Sequence, residues 1–292
     1  MAERGDPSAL RWLIGAELTN YRKLSGVSQA DAGKSVGVSS GMIGHYETGR
    51  HFAAPEQIAR LLKLYNAPYY DIERLSTLAG KADQSSWLAR WNDVIPDWLR
   101  TFVGLEGLAS NVVSYSPMVL PALLQTKDYS AGVTSPSARV RPDQQERVVG
   151  LRMERQERLL TEDQPLQLTA LIEESILDRP IGRRDSKAVM NDQLRHLIEM
   201  SKLDNVEIRV LPTGLGHHDG LEGRFNVLHF LDDQERPQAQ SIGYIEIPDH
   251  AVYFQDQLQV DKYTKCAELL CSVALSQADS VKAIRRRLAT LG

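Results

Sequence analysis

Between Ser28 and Arg50 the chain reads Ser-Gln-Ala-Asp-Ala-Gly-Lys-Ser-Val-Gly-Val-Ser-Ser-Gly-Met-Ile-Gly-His-Tyr-Glu-Thr-Gly-Arg, and no other stretch constrains the fold as strongly. Ser28 is placed to cap a short helix through Ser35, because a serine oxygen accepts a backbone N–H that the first helical turn leaves unsatisfied. Gly37 follows, where a left-handed turn residue costs little. Ser39 caps a second helix ending at Thr48-Gly49. Val36, Val38, Ile43 and Tyr46 supply the apolar filling between the two helices. Ala32, Gly33 and Gly41 fall near the helix crossing or the outward face, where small residues fit.

The flanks extend this pattern into an all-helical domain over residues 1–80. Leu10, Ile14, Leu18 and Tyr21 recur at helical spacing and predict a first helix ending near Ser25-Gly26. Pro55 sits well in the first turn of a fourth helix, with Ile58, Leu61, Leu62 and Tyr65 on one stripe. A fifth helix is predicted from Tyr70 to Leu78, closed by Gly80. Two short helices joined at a glycine turn, the second exposed at its start, have the layout of a helix-turn-helix.

Residues 81–110 carry Trp87, Trp91 and Trp98, with Pro96 between two helical segments. The segment lacks the polar, Gly/Ser-rich character of a flexible linker and reads as a helical connector packing onto the second domain. Residues 111–292 mix strand-like runs (Val112–Tyr115, Leu166–Ile172, Val206–Leu211, Phe225–Phe230, Ile242–Ile247) with helices over Asp143–Leu160, Ser186–Leu203 and Val260–Ala278, and a short basic helix ends the chain. Strands and helices do not alternate regularly, which predicts an α+β domain.

The 292 residues carry a formal net charge of −4. An acidic whole argues against coating nucleic acid non-specifically, but a phosphate-facing surface needs only local positive charge. No stretch approaches the roughly 18 apolar residues of a membrane helix, and no apolar run follows the charged N-terminus, so a cytoplasmic protein is expected. Cys266 and Cys271 lie about 7.5 Å apart along one helix and on different faces, which predicts two small core residues and no disulfide.

The segment over residues 10–75 resembles the Xre (Cro/C1-type phage repressor) family. Ser28-Gln29-Ala30 opens helix two, Val36-Gly37-Val38 makes the turn, Ser39 begins helix three, Ile43 takes its core position, and Glu47-x-Gly49-Arg50 ends it. The resemblance implies a lambda-repressor-like helix-turn-helix domain that binds an operator in double-stranded DNA. It implies a phosphate contact for Gln29, a base-facing surface at Ser40, Gly41 and His45 with Met42 nearby and Ser39 at the DNA-binding start of the helix, and a phosphate or groove contact for Arg50. Gly41 has no side chain, and the reading face lacks an Arg, Asn or Gln for a bidentate base contact. Modest direct readout follows, supplemented by DNA shape or by a homodimer on two half-sites one DNA turn apart.

The second domain carries Pro121-Ala-Leu-Leu-Gln-Thr-Lys-Asp-Tyr129, Arg152-Met-Glu-Arg-Gln156, Glu173-Glu174, Ile181-Gly182, Val210-Leu-Pro212, Gly223-Arg-Phe225 and Tyr244-Ile-Glu246. Together they resemble the domain of unknown function that follows the helix-turn-helix in WhiJ-like actinobacterial regulators, with Ala122 departing from a usual glycine. That resemblance implies a regulator, such as a repressor, of development or secondary metabolism, modulated by a small acidic partner protein encoded nearby. A small-molecule sensor is the alternative, and an interaction protein that holds the partner, with DNA secondary, is a third. An enzyme would require His217 or His218 beside a carboxylate in a cleft. His217-His218-Asp219 reads as a solvent loop, Glu174 as a helix cap and Arg285-Arg286-Arg287 as a solvated face. No catalytic residue, metal site or cofactor is expected.

Overall fold

The computed structural model describes residues 6–80, 86–182, 186–231 and 235–291. Residues 1–5 of the charged N-terminus and 81–85 of the expected connector lie outside the described residues. The chain forms two units: residues 1–109 with 229–241 and 255–257, and residues 110–228 with 242–254 and 258–292.

The first unit is built on α1 (Pro7–Ser25), α2 (Gln29–Val36), α3 (Ser40–Glu47), α4 (Pro55–Leu64) and α5 (Tyr69–Gly80). The expected caps are in place. Asp6 accepts the N–H groups of Ser8 and Ala9 at the head of α1. The Ser28 hydroxyl oxygen accepts from Asp31 N–H at 3.1 Å, and that of Ser39 from Met42 N–H at 3.2 Å. Gly37 turns the chain between α2 and α3 at φ 74°. Ile14, Leu18, Ala32, Val36, Ile43, Tyr46, Ile58 and Leu62 share one core.

Two glycines let the helices close on one another. A Cβ at Gly33 would lie 2.5 Å from the Val38 carbonyl oxygen. Gly49 combines a φ of 70° with a would-be Cβ 2.6 Å from the backbone of Trp12, so it needs both the left-handed conformation and the missing side chain.

A 3-10 turn at Trp87–Trp91 and α6 (Asp97–Leu108) complete the run to Ala109. α6 packs against α1. Gly104 makes the room, since a Cβ there would meet Ala9 at 2.7 Å. An apolar stripe says that a helix is buried but not which neighbour buries it.

The same unit contains a buried ionic hook. Glu17 of α1 is 1% exposed. Arg74 of α5 donates to both of its carboxylate oxygens, at 3.0 and 2.5 Å, and also to Asp71. The Tyr21 hydroxyl donates to the other oxygen of Asp71 at 2.5 Å. Segment 229–241 joins in: Gln240 N–H donates to Glu17 at 3.1 Å, Asn20 donates to the Gln240 side chain at 2.8 Å, and Arg74 donates to the Gln238 carbonyl. A carboxylate this deep is tolerated because each oxygen has donors.

A six-stranded sheet runs in the order β3-β2-β1-β4-β5-β6, with β1 (Asn111–Ser116), β2 (Gln167–Glu173), β3 (Val206–Leu211), β4 (Phe225–Leu231), β5 (Pro237–Ile247) and β6 (His250–Phe254). β1, β2 and β3 are parallel, whereas β5 and β6 are antiparallel. The helices of this half are α7 (Lys127–Thr134), α8 (Gln145–Gln156), α9 (Ser186–Met200), α10 (Gln257–Val273) and α11 (Gln277–Leu291). Tyr115, Leu171, Leu211, Phe225 and Val227 pack with Val260, Ala267 and Leu270 of α10. The alternate residues Val112, Ala170, Ile172 and Val210 are buried as well, as parallel strands covered on both faces require. The outer edge of β3 is closed by α11 and the link before it: Ile208 N–H donates to Gln277, Val210 N–H to Ser280, and the Val210 carbonyl accepts from Leu275 N–H. Such cover keeps an edge from pairing with another chain.

The architecture is therefore an all-α helix-turn-helix region over α1–α5 and an α+β region with a mixed sheet, as the sequence predicts. α7 and β6 are additions to that reading. The helix expected over Val260–Ala278 stops at Val273 and restarts at Gln277, because the Ser276 hydroxyl oxygen accepts from Asp279 N–H and caps a new helix. Both cysteines carry no disulfide. No described helix is long and apolar enough to cross a membrane.

Replacing Gly49 by alanine is expected to cost about 2–3 kcal/mol, from a positive φ and a backbone clash together. Equilibrium urea unfolding checks this: an unchanged midpoint would mean that the crossing of α1 and α3 relaxes without penalty.

Candidate nucleic-acid interface

The outer face of α3 is shaped by what it lacks. Ser40, Gly41 and Thr48 are exposed and Gly44 is half-buried. The Thr48 hydroxyl donates back to the Gly44 carbonyl at 2.8 Å, so its side chain lies along its own helix. A Cβ at Gly41 would have only the Ser39 hydroxyl oxygen nearby, at 3.8 Å. The face is smooth and open, and Ser40 is its one outward hydroxyl not already used as a cap or a back-bond.

The residues expected at the interface divide accordingly. Ser39 caps α3 with its hydroxyl. Ser40 and Gly41 stand on the open face. Met42 packs against the core of the first unit. His45 is half-buried, its ring 5.0 Å from that of His51, with Nδ1 buried and unpartnered among the described residues. Arg50 is exposed just past the helix, and its backbone N–H donates to the His45 carbonyl at 2.9 Å.

Gln29 is engaged inwardly. Its amide donates to Glu47 at 2.8 Å. The amide nitrogen carries two N–H groups, so one is left for a phosphate oxygen. Glu47 also receives both Nε and Nη2 of Arg22 in a bidentate pair, while Nη1 of Arg22 donates to the Val27 carbonyl. The hydrogen bonds to Glu47 hold the Arg22 guanidinium above its usual pKa, so it stays charged. Arg22 and Glu47 are 15% and 7% exposed. Three elements thus meet on one carboxylate: α1 through Arg22, the start of α2 through Gln29 and the end of α3 through Glu47. Sequence reasoning misses this hub. Only a pairing across 25 residues, which no local pattern announces, reveals it.

His218 does lie beside a carboxylate. Its side chain is 6% exposed, with Nε2 3.3 Å from an oxygen of Glu173. Gly220 N–H donates to Nδ1 at 3.2 Å, which assigns the ring proton to Nε2. The Tyr115 hydroxyl donates to the same Glu173 oxygen at 2.8 Å. Burial, reinforced by Glu173, pushes the Tyr115 phenol far above its usual pKa, so this hydroxyl is a poor acid near neutral pH. Gly220 is pressed on the Tyr115 ring, where a Cβ would lie 2.5 Å away. The cluster clasps the loop after β3 onto the ends of β1 and β2. His217 is exposed. Glu174, read as a helix cap, instead accepts from Thr213 N–H and from Arg287, and Arg287 also pairs with Asp178. Arg285 and Arg286 are exposed. Among the described residues no three His, Cys, Asp or Glu side chains are grouped to hold a metal ion.

Residues 13–75 match a family described as a helix-turn-helix domain. Residues 99–286 match a domain of unknown function, DUF5753. The chain belongs to the DUF5753 family. No curated protein and no solved structure matches it. The helix-turn-helix in front of the DUF5753 region marks a DNA-binding regulator, and in this DUF5753 protein the Glu47 hub sets how α2 and α3 meet.

Glu47→Ala would strand a largely buried guanidinium and release Gln29. It is expected to destabilise the protein by about 3 kcal/mol, the scale of removing one partner from a buried pair. Thermal and urea unfolding measure this. A loss no greater than that of an exposed pair, about 0–1 kcal/mol, would mean that the hub adds little.

Proposed function

We propose that this protein is a sequence-specific transcription regulator of the Xre type that binds operator DNA as a homodimer in the cytoplasm. The observation that carries the reading is the open α3 face: Ser40 and Gly41 are exposed, Arg50 is exposed just past the helix, and Glu47 holds Gln29 at the head of α2. Ser40 reads a base edge, Ser39 stays at the helix start as its cap, and Gly41 lets the backbone come close to the groove. Gln29 and Arg50 meet phosphates, which position the protein without reading sequence. Met42 and His45 act from behind this face, Met42 through packing and His45 through its ring against His51. One hydroxyl reads few bases, so specificity draws on DNA shape and on a second copy at a second half-site.

Residues 1–80 form the DNA-binding domain in this proposal, 81–110 the connector and 111–292 the regulatory domain. The resemblance to WhiJ-like actinobacterial regulators supports control of development or secondary metabolism, repression among its modes. It also supports a small acidic protein, encoded nearby, as the partner of the second domain.

Gly41→Glu tests the reading with little risk to the fold, because the Cβ has room. Binding is measured on the DNA upstream of the protein's own gene, across a salt series. Wild type is expected to hold one site with an affinity that falls as salt rises. The variant is expected to lose roughly 10–100-fold or more, since a carboxylate is driven at phosphates and base edges. Equal binding by the variant would remove α3 as the reading helix.

A further inference from the structure

Arg152 is an unusual residue in the second unit. It stands on α8 in the run Arg152-Met-Glu-Arg-Gln156, three residues before Arg155, so the two share a helix face. Its side chain leans on α7 through one nitrogen only. Nη1 donates to the Thr134 hydroxyl at 2.8 Å, to the Ser130 hydroxyl at 3.2 Å and to the Ser130 carbonyl at 3.4 Å. Nε and Nη2 make no hydrogen bond to any described residue, and no described carboxylate lies within ion-pair distance.

The surroundings increase the deficit. Arg155 is buried and its like charge bears on Arg152. Glu246 is the acid whose charge reaches the group, but its carboxylate is held by Arg224 at 3.3 Å. Burial, followed by the charge of Arg155, lowers the Arg152 guanidinium to about 10. It remains charged at neutral pH and is poorly compensated, in a place where a charge is ordinarily paired. The side chain is half-buried rather than sealed.

A guanidinium fixed by one nitrogen, with its Nε–Nη2 edge unoccupied, offers two parallel N–H donors. That is the fork which grips a carboxylate or a phosphate through two oxygens. We propose that Arg152, braced on Ser130 and Thr134, anchors an anion site in the second unit that takes the carboxylate or phosphate group of a small ligand. The two oxygens of the ligand accept from Nε and Nη2, and its charge offsets the repulsion from Arg155. A neutral ligand gains nothing there. The proposal goes beyond the DNA-binding reading, and its test is made without DNA, so either can fail alone.

The test follows the thermal unfolding of the full chain against rising inorganic phosphate in one arm and rising acetate in another, with ionic strength held constant by chloride. A binder of the folded state raises the midpoint with concentration. Wild type is expected to be stabilised by phosphate, by acetate or by both relative to chloride, and the arm that responds names the group. Arg152→Met is expected to lose the response, and Arg152→Lys to keep a weaker one, because an ammonium pairs as a point charge without the fork.

Should Arg152→Met fail to fold, Glu246→Gln serves in its place. It leaves Arg152 intact, removes the competing carboxylate, and is expected to tighten oxyanion binding severalfold. A wild-type midpoint that follows chloride alone in both arms would overturn the site. So would an Arg152→Met protein, or a Glu246→Gln protein, that responds no differently from wild type. Arg152 would then be only a brace between α7 and α8.

Discussion

The geometry of the helix-turn-helix depends on Glu47. Apolar packing holds α2 and α3 together, but packing is non-directional and tolerates small rotations. The Glu47 carboxylate adds direction, since it takes a bidentate pair from Arg22 and an amide donor from Gln29. The residue that meets a phosphate in the proposed complex is thus tied to the end of the helix that meets bases. Docking register and reading face are set by one charged group. The hydrogen bonds to Glu47 raise the Arg22 guanidinium above its usual pKa, so the cationic side of the hub keeps its charge.

How far the fold was legible depended on whether its determinants were local. Caps, turns and apolar stripes act within a few residues, and Ser28, Gly37, Ser39 and Pro55 occupy the positions their chemistry predicts. The strands of the second half were readable from β-branched and aromatic runs. β6 was not, because His250-Ala-Val-Tyr-Phe is short and follows β5 after a brief turn that reads as loop. The break between α10 and α11 has no glycine or proline, and only the Ser276 to Asp279 spacing marks it.

The candidate site was legible as positions but not as side-chain directions. Ser40, Gly41 and Arg50 are outward, as the motif suggests. Met42 and His45 share the same helix, yet Met42 turns to the core and His45 to His51. At about 100° per residue Met42 and His45 lie about 60° apart around the helix, and residue type alone does not report which of them turns inward. Contacts between distant parts of the chain were invisible for a simpler reason. Arg22 with Glu47, and Glu17 with Arg74, are partners chosen by tertiary packing, and no periodicity encodes them.

These long-range pairs also show how the chain treats buried charge. Glu17 has two donors from Arg74 and one from Gln240, and Glu47 is held by Arg22 and Gln29. In both places the cost of withdrawing an ion from water is offset by a partner of opposite charge and by further hydrogen bonds. Arg152 departs from that rule, with neutral oxygens on one nitrogen and a second arginine as its neighbour. An apolar side chain would fill the same space without the desolvation cost. Retaining a cation there is understandable if its counter-ion arrives from solution, so that the second unit is completed by an anion it binds.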